Sequence, residues 1–346
     1  MNPKIYKTHN LKQLNSFSLS CVAEYFCIAR CSEQLKYALD FAKKNKLNIT
    51  ILGEGTNVVL NQRISGLVLK IDIKGKSFTA EGADIIMKVG AGENWPSFVD
   101  WTLRKNWYGL ENLSLIPGNV GAAPIQNIGA FGVELSEKLI SIRAVCRTTG
   151  ENVEINAEDC EFGYRNSLFK GSRRDIYVIT SVILKLHKEP KLNYCYPSLK
   201  QALQNQLGAV NDDNVSPKLI SKTIKLLRRK NLPDPNSLPN AGSFFKNPIV
   251  DREQLNDLLG SHPELPYFPI ADNQIKIPAA WMIDYCGFRG YKYKNVGVHK
   301  YHALVLVNYS SGSYLEIMEL ASLIKNTVEQ LFSVRLTLEP TLYGID

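Results

Sequence analysis

The amino-acid sequence predicts an α+β protein of two or three domains, and three features support this prediction. The chain has 346 residues, of which 45% are hydrophobic and 21% charged, which is typical of a multidomain globular protein. Helical and strand-like patterns are interspersed along it. The glycine-containing turn at 53–57 follows a strand-like run but precedes another one, Val58–Leu60, where a Rossmann unit requires a helix. The turn at 53–57 is therefore a tight phosphate-binding or structural turn on a fold other than the Rossmann unit.

The first half of the chain contains several predicted elements. Apolar residues at helical spacing predict a helix over 32–45, with Ser32 as its N-cap, followed by a strand over 48–52. Strand-like runs at 66–71 and 84–89 precede a short helix that carries Trp95, Phe98 and Trp101. Runs at 142–146 and 152–155 predict a hairpin around Thr149 and Gly150, and 176–186 reads as a long strand.

In the second half, the composition changes at residue 188 to tyrosine, lysine, asparagine and proline, and we place a domain boundary in this region. It contains one predicted helix, at roughly 217–229. A short helix is predicted at 278–286, a loop at 296–301 and a buried strand at 303–308. Ser313 and Glu316 form a capping box before a long helix that ends near 332, and an apolar strand end follows at 334–340.

Charge and cysteine content exclude several classes of function. The net charge of +8 is dispersed, apart from a basic run at 225–230 for which a solvated helix face is the ordinary explanation, so anionic small ligands are favoured over nucleic acid. No apolar run reaches membrane-spanning length and the first residues lack a signal-peptide core, which predicts a cytoplasmic protein without membrane insertion. Seven cysteines without a CxxC pair argue against disulfides and zinc, and His299 and His302 lack a third ligand, so no metal is expected.

The stretch at 114–134 is rich in glycine and alanine and follows neither a helical nor a strand period. Its glycines can take a positive φ and bring peptide N–H groups close to a ligand, and Gln126 and Asn127 add hydrogen-bonding amides. A phosphate-bearing cofactor and a tightly packed structural loop are equally good explanations of this pattern.

Three polar side chains stand out elsewhere. Arg165 lies among aromatic residues, where it is either a buried ion-pair member or a clamp for a carboxylate. Ser243 follows a glycine and precedes two phenylalanines, an arrangement also found in an ordinary capped turn. Glu339 ends an apolar run, which indicates either a raised pKa, a charge partner or a plain edge-strand carboxylate.

Taken together, these segments resemble the UDP-N-acetylenolpyruvoylglucosamine reductase family of flavoenzymes, in its class I form. The resemblance spans nearly the whole chain, and its motifs are specific in combination rather than singly. They are GEGTN at 53–57, IPGNVGAAPIQNIGAFGVE at 116–134, GYRNSLFK at 163–170, LPDP at 232–235, NAGSFFKNP at 240–248, IPAAWMID at 277–284 and LEP at 338–340.

The resemblance implies a two-subdomain FAD-binding fold of the vanillyl-alcohol-oxidase type with a C-terminal α+β substrate-binding domain. The implied divisions are 1–70 and 71–215 for the FAD-binding subdomains and 216–346 for the substrate domain, whose C-terminal end returns to the active site. The implied FAD contacts are Gly53, Glu54, Gly55, Thr56, Asn57, Pro117, Gly118, Gly121, Ala122, Gln126, Asn127 and Gly129.

The resemblance also implies an activity: NADPH reduces FAD, and the flavin then reduces the enolpyruvyl ether of a UDP-sugar to UDP-N-acetylmuramate for peptidoglycan synthesis. Arg165 and Glu339 would stabilise the enolic intermediate, and Ser243 would donate the proton. The implied partners are the UDP-sugar enolpyruvate and NADPH, with no nucleic acid, and the chain is expected to be a monomer.

The implied substrate contacts are Tyr196, Lys230 and Asn247. Tyr196 fits the Y-x-x-L spacing of the substrate-covering tyrosine, although Tyr194 fits the distance from an upstream proline. Members of the family often have a lysine directly before LPDP, whereas this chain has Asn231 there and Lys230 one residue earlier.

Three competing functions remain distinguishable. A non-catalytic flavin-binding protein is expected to lack the residue types found at 165, 243 and 339, and all three are present. An oxidase of the same fold often binds FAD covalently, but the 116–134 loop has neither histidine nor cysteine. A nucleic-acid-binding protein is expected to have a basic-aromatic stripe, and none is evident.

Overall fold

The structure is a computed structural model that describes residues 2–344 of the chain. It contains seven α-helices and twenty strands in the described residues, with short 3-10 turns between them. The helices are α1 (Ser32–Lys44), α2 (Trp95–Arg104), α3 (Pro197–Leu207), α4 (Pro217–Asn231), α5 (Arg252–Ser261), α6 (Ala279–Tyr285) and α7 (Tyr314–Phe332). The strands are β1 (Ile5–Asn10), β2 (Val22–Ala29), β3 (Ile49–Leu52), β4 (Val58–Leu60), β5 (Arg63–Ile71), β6 (Lys76–Glu81), β7 (Asp84–Gly90), β8 (Gly129–Ala130), β9 (Val133–Glu134), β10 (Leu139–Cys146), β11 (Asn152–Asn156), β12 (Tyr177–His187), β13 (Asn240–Ser243), β14 (Ile249–Val250), β15 (Phe268–Ala271), β16 (Gln274–Lys276), β17 (Lys292–Tyr293), β18 (Val296–His299), β19 (His302–Asn308) and β20 (Thr341–Tyr343).

The chain forms two compact units. Among the described residues, the first unit contains 2–9, 23–54 and 65–230, and the second contains 10–22, 55–64 and 231–344. The chain therefore enters the second unit three times. The first half of the chain contributes the turn after Glu54 and strand β4 to the second unit.

The first unit is built on two sheets. A four-stranded sheet has the order β1-β2-β5-β3, with β3 and β5 parallel, and a five-stranded antiparallel sheet has the order β11-β10-β12-β7-β6. Its main core includes the fully buried rings of Trp95 and Phe98 from α2. A smaller cluster joins α3 to α4 through Leu199, Leu203 and Ile220.

The second unit contains a four-stranded sheet of order β13-β19-β18-β17 and a three-stranded sheet of order β14-β16-β15. In addition, β20 pairs in parallel with β4, so the C-terminal strand lies beside the strand that follows the 53–57 turn. The core of this unit packs α6 and α7 against the larger sheet, around Met282, Ile317 and Leu320.

The structure confirms the predicted α+β class and most of the predicted elements, including the 142–155 hairpin and the capping box of Ser313 and Glu316. Four local predictions are wrong. The N-cap of α1 is Cys31 rather than Ser32, residues 296–299 form β18 rather than a loop, α3 lies in a region for which only one helix was expected, and 334–340 is mostly irregular, with an isolated bridge at Leu338. Within residues 2–344, no helix is long and apolar enough to cross a membrane.

Candidate active site

The glycine-rich loop of the first unit presents unpaired peptide N–H groups. Gly118 has a φ of 118°, a conformation that favours glycine, and its carbonyl accepts a hydrogen bond from Trp95 N at 2.9 Å. The N–H groups of Gly118 and Asn119 donate to no other group within residues 2–344. Two successive N–H groups that are not used by the protein are suited to an anionic oxygen such as that of a phosphate.

Other parts of the same loop are fixed by packing. Gly121 N donates to Ala91 O at 2.9 Å, and a Cβ at Gly121 would lie only 2.5 Å from the Cβ of Ala91. Both explanations of the small residues therefore apply to this loop, the packing one at Gly121 and the ligand-facing one at Gly118.

The amide side chains of Gln126 and Asn127 within the loop have partners inside the first unit. Asn127 is buried and has a φ of 45°; its Nδ2 donates to Glu134 Oε2 at 2.6 Å, and its Oδ1 accepts from Ser136 N at 3.0 Å. Gln126 Oε1 accepts a hydrogen bond from Lys170 Nζ at 3.1 Å. The Asn127 side chain thus holds the loop in shape, which leaves its backbone as the part that can contact a cofactor.

A polar network of the first unit connects the 53–57 turn to the glycine-rich loop. Glu54 accepts hydrogen bonds from Asn94 Nδ2 at 3.0 Å and from Asn119 Nδ2 at 3.5 Å, while Asn119 Nδ2 also donates to Gly92 O at 3.0 Å. A Cβ at Gly53 would lie 2.6 Å from Asn119 Oδ1, so a larger residue there would displace the Asn119 side chain. This Oδ1 is buried and has no hydrogen-bond partner among residues 2–344.

The remainder of the turn belongs to the second unit. Gly55 has a φ of 65°, its carbonyl accepts from Ser16 N at 3.0 Å, and a Cβ there would lie 2.1 Å from Leu14 O. The N–H groups of Gly55 and Thr56 donate to no other group in the described part of the chain, and the buried Ser16 Oγ also lacks a partner. In each unit taken by itself, exposed N–H groups beside an unsatisfied buried oxygen are suited to the phosphate and hydroxyl groups of a dinucleotide such as FAD.

Arg165 is attached to the glycine-rich loop. It adopts a φ of 51°, which is uncommon for a non-glycine residue, and its Nη2 donates to Gly129 O at 2.8 Å. Its guanidinium also lies 5.5 Å from the centroid of the Tyr164 ring. The side chain is therefore held in one orientation, against a loop that carries the expected cofactor contacts.

Ser243 and Glu339 are brought together in the second unit. Ser243 ends β13, and the next residue, Phe244, accepts a hydrogen bond from Glu339 N at 3.0 Å. A bridge between Phe245 and Leu338 continues this pairing. The two predicted catalytic residues of this unit, far apart in sequence, consequently lie on adjacent segments.

The residues expected to contact substrate differ in their surroundings. The Tyr194 hydroxyl donates to Asp212 Oδ1 at 2.6 Å, whereas Tyr196 is 45% exposed and its ring packs edge-on against Phe131 of the glycine-rich loop. Asn247 Oδ1 accepts from Ala279 N at the start of α6, which leaves its Nδ2 for a ligand. Lys230 is exposed near the end of α4.

Some polar groups near these residues were not predicted from the sequence. Asn119 and Ser16 carry the unpartnered buried oxygens, and Arg228 of α4 points its guanidinium into the first unit. The interpretation of 225–230 as a solvated helix face is wrong for Lys225, which forms an ion pair with Asp100, and for Arg228. The sequence carried a signal only for Asn119, which is an asparagine within a glycine-rich loop.

Comparisons with known proteins agree with this geometry. Residues 23–156 match the model of an FAD binding domain, and residues 234–343 match the model of the UDP-N-acetylenolpyruvoylglucosamine reductase C-terminal domain. The FAD-binding fold with a separate C-terminal domain is thereby confirmed.

Similar whole chains include two reductases and one solved structure. UDP-N-acetylenolpyruvoylglucosamine reductase of Paraburkholderia phymatum is 42% identical, with 95% of each chain covered, and that of Chromobacterium violaceum is 39% identical, with 96% of this chain and 97% of the other covered. The crystal structure of the Thermus caldophilus reductase superposes with a TM-score of 0.68 at 21% identity and covers 99% of this chain and all of that one, which supports the fold. From its identity to the two full-length relatives, the chain belongs to the UDP-N-acetylenolpyruvoylglucosamine reductase family.

Proposed function

We propose that Arg165, Ser243 and Glu339 carry out the reaction of this chain, the NADPH-dependent, FAD-mediated reduction of UDP-N-acetylglucosamine enolpyruvate to UDP-N-acetylmuramate. The observation that carries the proposal is the hydrogen bond from Glu339 N to Phe244 O, because it brings the carboxylate segment beside the proton donor. When bound, FAD would supply a hydride, taken from NADPH, to C3 of the enolpyruvyl group.

Arg165 binds the carboxylate of the enolpyruvyl group. Addition at C3 moves negative charge onto C2 and this carboxylate, and a guanidinium already oriented by Gly129 O stabilises that charge without reorganisation. Glu339 contributes in its protonated form, in which its O–H donates a hydrogen bond to the same developing charge. The proton then leaves Ser243 Oγ and forms the new C2–H bond, which completes the reduction of the double bond.

We further propose how the cofactor and substrate are bound. The N–H groups of Gly118 and Gly55 bind the FAD pyrophosphate, and the unsatisfied oxygens near them accept cofactor hydroxyl groups. Pro117, Thr56, Asn57 and Ala122 belong to the same two turns, and Gln126 and Gly129 flank the isoalloxazine. Tyr196, Asn247 and Lys230 bind the UDP part of the substrate, Tyr196 as its cover.

The proposed domain division is 1–70, 71–215 and 216–346. The parallel pairing of β20 with β4 supports the proposal that the C-terminal end returns to the site. The protein acts as a cytoplasmic monomer, without nucleic acid or membrane insertion.

The absorbance of the purified protein under anaerobic conditions tests this function. We expect a yellow flavin spectrum that NADPH bleaches and the enolpyruvyl substrate restores. A protein that is bleached by NADPH but not reoxidised by the substrate would refute the proposed substrate. A protein without flavin absorbance would refute the proposed cofactor.

A further inference from the structure

The segment that carries Tyr196 is attached to the first unit through side chains. Residues 189–195 form neither helix nor strand, and in the described part of the chain their peptide N–H groups donate to no backbone carbonyl. Leu192 and Tyr194 pack on the apolar cluster of α3 and α4. A segment without backbone pairing opens at little cost in free energy unless other groups hold it. Its position therefore depends on the few side-chain contacts that it makes.

One buried amide joins this segment to the glycine-rich loop. Asn112 is 2% exposed and lies in the 3-10 turn Glu111–Leu113. Its Nδ2 donates to Asn193 O at 2.8 Å and to Phe131 O at 2.9 Å, so both amide hydrogens are used, one on each segment. Asn193 Nδ2 adds a hydrogen bond to Gly132 O at 3.3 Å. The amide of Asn112 thus fixes how far apart the two segments lie.

Phe131 is held in an uncommon conformation at this point. With Gly132 it forms the two-residue loop of the hairpin of β8 and β9, and both residues have a positive φ, 49° for Phe131 and 82° for Gly132. Such a loop favours asparagine, aspartate or glycine, and a bulky side chain with a positive φ is rare. Strain of this kind persists only where surrounding contacts enforce it, and it is frequent at ligand clamps. Here the contacts are the hydrogen bond from Asn112 and the edge-on packing of the Phe131 ring against Tyr196, with ring centroids 5.5 Å apart.

We propose that Asn112 is a positioning residue for substrate binding: by joining Asn193 O to Phe131 O, it holds the segment of Tyr196 in the conformation that covers the bound UDP-sugar. This inference rests on the proposed function, in which Tyr196 is the cover. Because Asn112 is buried, it acts through the 189–196 segment and not by touching the substrate. When its hydrogen bonds are lost, the covering conformation is one of several, and the apparent affinity for substrate falls with the fraction of molecules that retain it.

Two variants test this connection from its two sides. Asn112→Leu keeps approximately the size of the side chain but removes both donors, and Asn193→Ala removes only the longer hydrogen bond to Gly132 O. Asn214→Ala is the matched control, because the exposed Asn214 also donates from Nδ2 to a backbone carbonyl, that of Ala209, in the connection between α3 and α4. All measurements use the FAD-loaded enzyme.

Cleavage by trypsin after Lys191 reports the opening of the segment without substrate. Lys191 is exposed within the segment, and cleavage follows the population of the open form. We expect Asn112→Leu to be cut there about 5- to 100-fold faster than wild type, since two hydrogen bonds are lost, and Asn193→Ala about 3- to 10-fold faster, since one is lost. Asn214→Ala is cut at the wild-type rate. The masses of the fragments identify the bond that is cleaved.

Anaerobic stopped-flow absorbance measures the consequence for the substrate. Flavin reduction by NADPH keeps its wild-type rate in all three variants. In Asn112→Leu and Asn193→Ala, the substrate concentration that gives half-maximal reoxidation rises by the same factors as the rate of cleavage, whereas the maximal rate of reoxidation stays within about twofold of wild type. A residue that only stabilises the fold would lower the Tm without separating these two quantities.

Two results would overturn the proposal. One is a rate of cleavage after Lys191 that stays within about twofold of wild type in both variants, because the amide then does not hold the segment. The other is a maximal rate of reoxidation that falls while the half-saturating concentration stays unchanged, because Asn112 then holds the flavin-binding loop and not the cover. If Asn112→Leu does not fold, Asn193→Ala decides by the same two criteria. Failure of the proposed function is a separate result, since it appears in the wild-type enzyme as flavin that the substrate does not reoxidise.

Discussion

Replacing Ser243 with alanine should separate the two halves of the catalytic cycle. The substitution removes one hydroxyl group from the end of β13, where the backbone pairs with Val305 of β19. The Ser243 hydroxyl makes no hydrogen bond to another described residue, so no structural interaction is lost with it. We expect the free energy of unfolding to change by no more than about 0.5 kcal/mol, as for substitutions without a named structural mechanism.

The chemical effect should be much larger. Loss of a general acid slows its own step by about 10²–10⁴-fold, which corresponds to about 2.7–5.4 kcal/mol of transition-state free energy. Flavin reduction by NADPH does not involve this proton and should proceed at nearly the wild-type rate. The informative quantity is therefore the ratio of the rate constant of flavin reduction by NADPH to that of flavin reoxidation by the substrate.

Anaerobic stopped-flow absorbance measures both steps on the same sample, with NADPH mixed first and the enolpyruvyl substrate second. Ser237→Ala is the matched control, because Ser237 lies on the preceding turn, is exposed and donates to Asp234 O. Equal slowing of both steps in Ser243→Ala would refute the proton-donor role and indicate a structural one.

Further substitutions test the anchoring of the site, its turns and its acid sensitivity. Arg165→Lys should slow flavin reoxidation by substrate and leave flavin reduction by NADPH intact, because lysine keeps the charge but lacks the planar, forked guanidinium. An unchanged rate of reoxidation in stopped-flow absorbance would contradict this prediction. Gly55→Ala should weaken FAD binding by at least tenfold in a fluorescence titration. The added Cβ would lie 2.1 Å from Leu14 O at a φ of 65°, which strains the turn by about 1–3 kcal/mol. Wild-type affinity for FAD in this variant would show that the turn can shift. Burial, with added repulsion from His299, lowers the pKa of His302 in the folded protein below its ordinary value of 6.5. As the pH falls, this histidine is therefore protonated in the unfolded chain before it is protonated in the folded one. The Tm should consequently fall as the pH drops below about 6.5. His302→Gln should flatten that dependence in a pH series of thermal melts, and an unchanged slope would exclude this histidine as its source.

The sequence predicted the elements whose signals are local. The capping box of Ser313 and Glu316 fixes the start of α7 by two reciprocal hydrogen bonds, and both residues lie within one turn of chain. The hairpin around Gly150 is likewise specified by a short turn with a positive φ. In contrast, β18 was expected to be a loop, because its pairing with β19 depends on tertiary contacts that a pattern of single residues does not contain.

The candidate site was only partly predictable for the same reason. The glycine-rich loop and the residue types at 165, 243 and 339 were visible in the sequence, but the pairing of the Glu339 and Phe244 segments is a contact between distant positions. Likewise, Asn127 reads as a ligand-binding amide until its bonds to Glu134 Oε2 and Ser136 N are known.

Arg228 shows how a charge can be misinterpreted when only its sequence neighbours are considered. In a run of basic residues on one helix, solvation is the ordinary expectation, and the exposed Arg229 and Lys230 conform to it. A helix, however, directs positions three apart to similar faces, so Lys225 and Arg228 both turn inward, toward Asp100 and Leu115 O respectively. In the described part of the chain, Lys225 pairs with a carboxylate and Arg228 with a backbone carbonyl. The residue types of a basic run therefore do not show which of its members face solvent, because the tertiary contacts of each position decide it.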